Sequence, residues 1–173
     1  MTGVQTCALP IWSARTYAGE PLGTLAGVSR FCQANGYQLN IEIKPTPGTD
    51  RVTGEVVARE AAAWWRGAPI PPLLSSFQPE ALAGAREAAP ELPRGLLIDS
   101  WPADALEQAT QLGCVALICN YALWDATRVA QAHALGLRTL SYTVNDASVA
   151  AHLLALGTDG VITDRVDLFA PDA

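Results

Sequence analysis

The chain has 173 residues, of which half are apolar and 16% are charged, so its length and composition indicate one globular domain and exclude a disordered protein. The net charge of −6 and the sequence pI near 4.8 provide no basic field for nucleic acid or for anionic lipid. No apolar run in the sequence approaches the length of a transmembrane span, so no membrane partner is predicted.

The first eleven residues, Met1–Ile11, are expected to lie outside the fold. They have neither helical nor alternating periodicity. Pro10 interrupts their short apolar run, and no basic segment precedes it, which is atypical of a signal peptide. Reverse-translated, they resemble a common short-read sequencing adapter. We interpret residues 1–11 as an artefactual tail and residues 12–173 as a partial barrel domain.

Strands and helices are predicted to alternate along the rest of the chain, with glycines closing several helices. The predicted helices are Leu25–Asn35, Thr53–Trp65, Pro79–Ala88, Ala103–Leu112, Trp124–Leu135 and Ala147–Leu156. The predicted strands are Gln38–Lys44, Leu73–Ser76, Gly95–Ile98, Val115–Cys119, Arg138–Val144 and Val161–Thr163. This alternation favours a parallel sheet, and on pattern alone either a barrel or a doubly wound open sheet.

The cysteines indicate neither a zinc site nor a disulfide framework. Cys7 lies in the tail, and Cys32, Cys114 and Cys119 lack C-x-x-C spacing and nearby histidines. Cys114 and Cys119 flank an apolar run and are predicted to be buried thiols. A reducing, cytoplasmic location fits them best.

The segment from Asn40 to Pro45 carries the clearest chemical signal. Alternation along a strand puts Ile41 and Ile43 on one face and Glu42 and Lys44 on the other. An acid and a base at the end of a buried strand are costly unless they are paired or bound to a ligand. A Glu42–Lys44 ion pair is one interpretation; a metal ion at Glu42 and a phosphate at Lys44 is the other.

The two histidines are not predicted to be catalytic. Active sites of parallel barrels lie at the carboxyl ends of the strands. His133 and His152 fall near the ends of predicted helices, which places them at the opposite rim. We expect them to serve packing or helix-end electrostatics.

Several motifs in order resemble the glycerophosphodiester phosphodiesterase family, and its cytosolic bacterial branch in particular. They are Gly19-Glu20-Pro21-Leu22, Glu42-Ile43-Lys44-Pro45, Leu74-Ser75-Ser76-Phe77, Ala89-Pro90-Glu91-Leu92-Pro93-Arg94-Gly95, Tyr142-Thr143-Val144-Asn145 and Thr158-Asp159-Gly160-Val161-Ile162-Thr163-Asp164. The resemblance runs from about Trp12 onward. It implies a TIM-type (β/α) barrel whose first two or three strands lie upstream of this sequence.

The family's His-Arg-Gly, Glu-x-Asp and His-Asp motifs do not occur here. The resemblance implies that two metal-binding carboxylates and both general acid–base histidines come from those motifs. No catalytic residue is therefore retained, and the 173-residue chain is predicted to be inactive.

The resemblance implies roles for four residues that are present. Glu42 matches the third carboxylate that holds a divalent cation, Mg²⁺ or Ca²⁺. Lys44 matches the lysine that contacts the phosphate. Tyr142 and Phe77 would form an apolar wall for glycerol, or would simply fill the barrel.

The implied reaction is hydrolysis of a glycerophosphodiester, a small-molecule substrate, to sn-glycerol 3-phosphate and an alcohol. Two alternatives stay open: a catalytically empty relative that binds polyol phosphates, and a different phosphate-handling barrel such as a sugar-phosphate isomerase. A homo-oligomer is also left open, because the sequence does not address assembly.

Overall fold

The computed structural model describes residues 23–169, and in them helices and parallel strands alternate. The helices are α1 (Leu25–Ala34), α2 (Asp50–Trp64), α3 (Pro79–Ala88), α4 (Ala105–Gln111), α5 (Ala126–Ala134) and α6 (Ala147–Leu156), with a 3-10 turn at Tyr121–Leu123. The strands are β1 (Asn40–Glu42), β2 (Leu73–Ser76), β3 (Arg94–Ile98), β4 (Ala116–Asn120), β5 (Arg138–Tyr142) and β6 (Gly160–Val161).

The six strands form one sheet in chain order, and every neighbouring pair is parallel. The predicted parallel sheet is therefore confirmed. Parallel pairing brings the carboxyl ends of all six strands to one edge, where the side chains that follow each strand can meet. We call this edge the mouth of the sheet.

The face of the sheet that the helices cover is apolar. Ile41, Ile43 and Leu74 pack under α2 and α3, and Leu96 and Leu117 pack under the later helices. The helices present mainly alanines to them, such as Ala58 and Ala81, which are fully buried. Small side chains let the helices approach the sheet closely.

The other face of the sheet has its own apolar cluster, formed by Leu97, Ile118 and Leu140 with Tyr142 above them. These residues alternate with helix-facing neighbours along their strands, and pairing puts Leu97, Ile118 and Leu140 in one row. This inner face leads to the mouth, so it is the face from which functional side chains would project.

Several element boundaries differ from the predicted ones. α2 begins at Asp50, three residues earlier than predicted, where an acidic side chain in the first turn suits the helix dipole. α5 begins at Ala126 rather than at Trp124, because Asp125 is its N-cap and accepts a hydrogen bond from Arg128 N. β1, β5 and β6 are shorter than predicted, although Ile43 N still donates to Ser75 O beyond β1.

The three cysteines in the described residues, Cys32, Cys114 and Cys119, are free and buried, as predicted for Cys114 and Cys119. No helix in residues 23–169 is long and apolar enough to cross a membrane. The predicted tail, Met1–Ile11, lies outside the described residues, so its exclusion from the fold stays a prediction.

Candidate functional site

Glu42 ends β1 at the mouth, and Lys44 follows two residues later. Ile41 precedes Glu42, Ile43 lies between Glu42 and Lys44, and both isoleucines are buried against the helices. Alternation along the strand therefore sends the Glu42 side chain to the inner face. Lys44 Nζ lies 3.4 Å from Glu42 Oε1, and the two side chains are 58% and 22% exposed. The structure therefore contains the ion pair that was one of the two interpretations of this segment.

The Glu42 carboxylate has an unused acceptor. Its Oε1 atom is buried, and the Lys44 ammonium at 3.4 Å forms an ion pair with it but makes no hydrogen bond to it; no other hydrogen-bond partner occurs among the described residues. A buried carboxylate oxygen without a donor is costly and suits a hard cation. However, no group of three His, Cys, Asp or Glu residues within 23–169 could hold a metal ion. Glu42 therefore fits as one metal ligand, but the described residues do not form a complete metal site.

Phe77 and Tyr142 form an aromatic wall at the mouth. Phe77 follows β2 and Tyr142 ends β5, yet their ring centroids are 5.7 Å apart in an edge-to-face arrangement. In a flat sheet two intervening strands would keep these rings apart. Their contact therefore requires the sheet to curl around its inner face.

The Tyr142 hydroxyl is fixed by a hydrogen bond that it donates to Ile98 O, at 2.8 Å. Burial of the ring, followed by the negative charge of Asp99, raises the pKa of Tyr142 to about 12. The phenol therefore stays protonated at neutral pH. Its chemistry is that of a wall and a hydrogen-bond donor rather than of a base.

A stacked cluster ties together the loops next to this wall. Arg128 lies over the Trp101 ring, 4.6 Å from its centroid, and Trp101 meets Trp124 edge to face. Trp124 Nε1 donates to Leu140 O, two residues before Tyr142. Trp124 thus belongs to the buried core and Trp101 packs against it, with Arg128 stacked on the outside.

Asn145 connects the loop after β5 with the end of β6. Its Oδ1 accepts hydrogen bonds from Thr163 Oγ1 and Asp164 N, and its Nδ2 donates to Asp164 Oδ2. Asp164 thus holds a loop. The helix cap of α6 is Asp146, which accepts from Ser148 N and Val149 N.

Both histidines lie away from the mouth. His133 is in the last turn of α5, and its Nε2 is 2.8 Å from Asp159 Oδ2. Asp159 precedes β6 and also accepts from Arg138, the first residue of β5, so this network lies at the opposite rim. His152 is exposed on α6. The predicted location at a helix end is confirmed for His133, whereas His152 lies before the last turn of α6.

Parallel strands in chain order, curled around an apolar interior with polar groups at their carboxyl ends, define a partial TIM-type barrel. The chain belongs to the glycerophosphoryl diester phosphodiesterase family, whose sequence model matches residues 4–168. The predicted family and fold class are therefore confirmed. That match begins within the segment that we interpret as a tail, at residue 4.

Individual relatives agree with this membership. The chain is 26% identical over 170 residues to the YhdW protein of Bacillus subtilis, which is named as a glycerophosphodiester phosphodiesterase, covering 93% of this chain and 66% of that protein. It is 29% identical to a phosphodiesterase of Oleispira antarctica, with a TM-score of 0.77 over 88% of this chain and 62% of that one. That relative was solved in complex with the product sn-glycerol-3-phosphate.

A glycerophosphodiester phosphodiesterase of Parabacteroides distasonis is 18% identical, with a TM-score of 0.70 over 84% of this chain and 61% of that one, and supports the fold alone. The chain thus spans somewhat less than two thirds of the length of these relatives. The roles of Glu42, Lys44, Phe77 and Tyr142 stay predictions, because none of these comparisons assigns individual residues.

Proposed function

We propose that the protein to which this chain belongs hydrolyses glycerophosphodiesters to sn-glycerol 3-phosphate and an alcohol with the help of a divalent cation, Mg²⁺ or Ca²⁺. The family membership and the product bound to the Oleispira antarctica relative support the reaction class. The observation in this chain that carries the proposal is the acid–base pair Glu42 and Lys44 at the mouth, in which the buried Glu42 Oε1 has the Lys44 ammonium at 3.4 Å but accepts no hydrogen bond.

Each of the four residues has a part in this proposal. Glu42 would supply one ligand to the cation, and the bound cation would neutralise charge on the phosphodiester. Lys44, whose side chain is more than half exposed, can turn from Glu42 toward a non-bridging phosphate oxygen. The Phe77–Tyr142 wall would border the glycerol carbons.

The chemistry is an exchange of bonds at phosphorus. A water oxygen loses a proton and bonds to phosphorus while the bond from phosphorus to the leaving alcohol oxygen breaks, and that alcohol oxygen takes up a proton. General acid and base groups help this exchange by typically 10²–10⁴-fold. The sequence has two histidines, and both lie away from the mouth. Tyr142, with its raised pKa, is no substitute for a base.

We therefore propose that these 173 residues alone do not turn over substrate. Purified chain should release no glycerol 3-phosphate from glycerophosphocholine in the presence of Mg²⁺ or Ca²⁺, measured with a coupled enzyme assay. Release that is abolished both by a chelator and by Glu42→Ala would refute the proposed inactivity while supporting the proposed role of Glu42.

A cytoplasmic location is also part of the proposal. Free, buried thiols at Cys32, Cys114 and Cys119 fit a reducing compartment. Fractionation of cells that express the complete gene would test it.

A further inference from the structure

Asp99 lies at the mouth beside the aromatic wall and has no role in the function proposed above. Ile98 of β3 lies beside Cys119 of β4, and the next residue of β4, Asn120, lies beside Tyr142 of β5. Asp99 follows Ile98 and therefore falls in the same row as Asn120 and Tyr142. Leu97 belongs to the inner apolar cluster, and two residues along a strand return to the same face. Asp99 therefore extends the inner row at its solvent end, where it is exposed.

The carboxylate of Asp99 lacks a basic partner within residues 23–169. Its hydrogen bond comes from the neighbouring Ser100 Oγ, at 3.3 Å. By contrast, Glu42 at the same mouth is paired with Lys44, and Asp125 with Arg128. Asp99 thus contributes an uncompensated negative charge to the mouth.

This charge lies next to the polar edge of the aromatic wall. The Tyr142 hydroxyl donates to the carbonyl of Ile98, the residue directly before Asp99. After burial, Asp99 is the largest contributor to the raised pKa of Tyr142, ahead of Glu42. The field of the carboxylate therefore reaches the surface that a substrate would touch.

A carboxylate beside aromatic rings is the arrangement that recognises an ammonium group. The charge attracts the cation, and the aromatic surface contacts the alkyl groups that surround it. Arg128 already covers one face of the Trp101 ring. The rings of Phe77 and Tyr142, in contrast, contact each other edge to face at the mouth. Phe77 is 38% exposed, so this pair keeps aromatic surface open at the mouth.

We propose that Asp99 is a specificity-determining residue that favours phosphodiesters whose alcohol carries an ammonium group over those with a neutral alcohol. This inference rests on the proposed function, since it assigns the leaving-alcohol side of the same site. Lys44 would receive the phosphate and Asp99 the cationic head group.

Binding to the 173-residue chain tests the proposal without requiring turnover. The ligands are glycerophosphocholine, with a cationic head group, and glycerophosphoglycerol, with a neutral one; affinity is read from titration calorimetry and from the ligand-induced shift of the urea midpoint. We expect glycerophosphocholine to bind about fivefold tighter, the size of one contact between opposite charges in water. Asp99→Asn should abolish this preference.

Asp104→Asn is the matched control. It removes the same charge from the same loop, and the Asp104 side chain makes no capping hydrogen bond at the start of α4. The two ligands differ in net charge and the chain carries −6, so the loss of any one negative charge changes their relative affinity. The Asp104→Asn variant measures the size of this general electrostatic effect. The preference should survive Asp104→Asn.

Glycerol 3-phosphate, which has no head group, separates this inference from the proposed function. It should bind the Asp99→Asn and Asp104→Asn variants equally, and Lys44→Ala should weaken it. If it binds as expected but the two diesters bind with equal affinity, the role of Asp99 is refuted and the proposed function stands. Equal weakening of both diesters by Asp99→Asn would also refute it, by indicating a structural role. If no phosphate ligand binds any variant, both proposals fail.

Discussion

Replacing Gly54 by alanine should destabilise the chain, because α2 and α3 touch through glycine. A Cβ atom at Gly54 would lie 1.9 Å from Ala81 O and 2.7 Å from the same carbonyl carbon. At the facing position, a Cβ on Gly84 would lie 2.2 Å from Arg51 O. Carbon and carbonyl oxygen normally stay about 3.3–3.6 Å apart, so the helices would have to separate locally by roughly 1.5 Å.

The expected cost follows from two opposing effects. Alanine in a helix interior is favoured over glycine by about 1 kcal/mol. Overpacking typically costs 1–3 kcal/mol and occasionally more, and here the obstacle is backbone, which cannot rotate away. Separation would also loosen the contacts of Ala58, Ala61 and Ala85, which are fully buried. We therefore expect a net loss of about 2 kcal/mol, or a melting temperature lowered by about 4–8 °C.

Urea denaturation followed by far-UV circular dichroism measures this loss. Gly27→Ala in α1 is the control, since the nearest atom to its Cβ is a side-chain oxygen, Thr24 Oγ1, at 3.2 Å. That variant should keep its midpoint or gain stability. If Gly54→Ala unfolds at the same urea concentration as the unsubstituted chain, the close approach of α2 and α3 does not limit packing, and the reasoning is wrong.

Three further predictions concern titratable side chains. Burial pushes the pKa of Asp159 upward, but hydrogen bonds from Thr139, Arg138 and His133 outweigh it and hold the pKa below its usual range. The ionised form therefore adds stability above pH about 4, and this stability is lost as the pH falls toward the folded-state pKa. In the Asp159→Asn variant the urea midpoint should depend less on pH between about 2.5 and 5 than in the unsubstituted chain. Burial raises the pKa of the Cys114 thiol to about 11. Alkylation of this thiol should therefore be roughly 100-fold slower in the native chain than in urea, as measured on the Cys114 peptide by mass spectrometry. Tyr142→Phe removes the hydrogen bond to Ile98 O and should cost about 1 kcal/mol in urea denaturation, whereas Tyr121→Phe at an exposed tyrosine should cost nothing measurable.

The order of elements could be predicted because its causes are local. Glycines that end helices, such as Gly36 and Gly157, adopt positive φ, and the apolar alternation of β1 matches its burial. The start of α5 could not be predicted in the same way. The 3-10 turn at Tyr121–Leu123 precedes the helix, Trp124 packs into the core between the two, and the cap at Asp125 sets the start of the helix at Ala126.

The site was predictable only along single strands. Alternation correctly put Glu42 and Lys44 within reach of one another. Contacts between distant strands depend on how strongly the sheet curls, which no local pattern encodes. For that reason the Phe77–Tyr142 contact and the proximity of Asp99 to Tyr142 emerge only from the three-dimensional arrangement.

The ion pair at the mouth is compatible with the proposed chemistry because it is weak. Lys44 is more than half exposed and its ammonium lies 3.4 Å from Glu42, so the pair is worth at most about 1 kcal/mol. A phosphate that draws Lys44 away therefore costs the fold little. Glu42, in contrast, is anchored by a strand whose neighbouring residues Ile41 and Ile43 are buried. One partner can follow a ligand while the other stays in place, which is what a site needs if it is to hold a cation and also release a phosphate product.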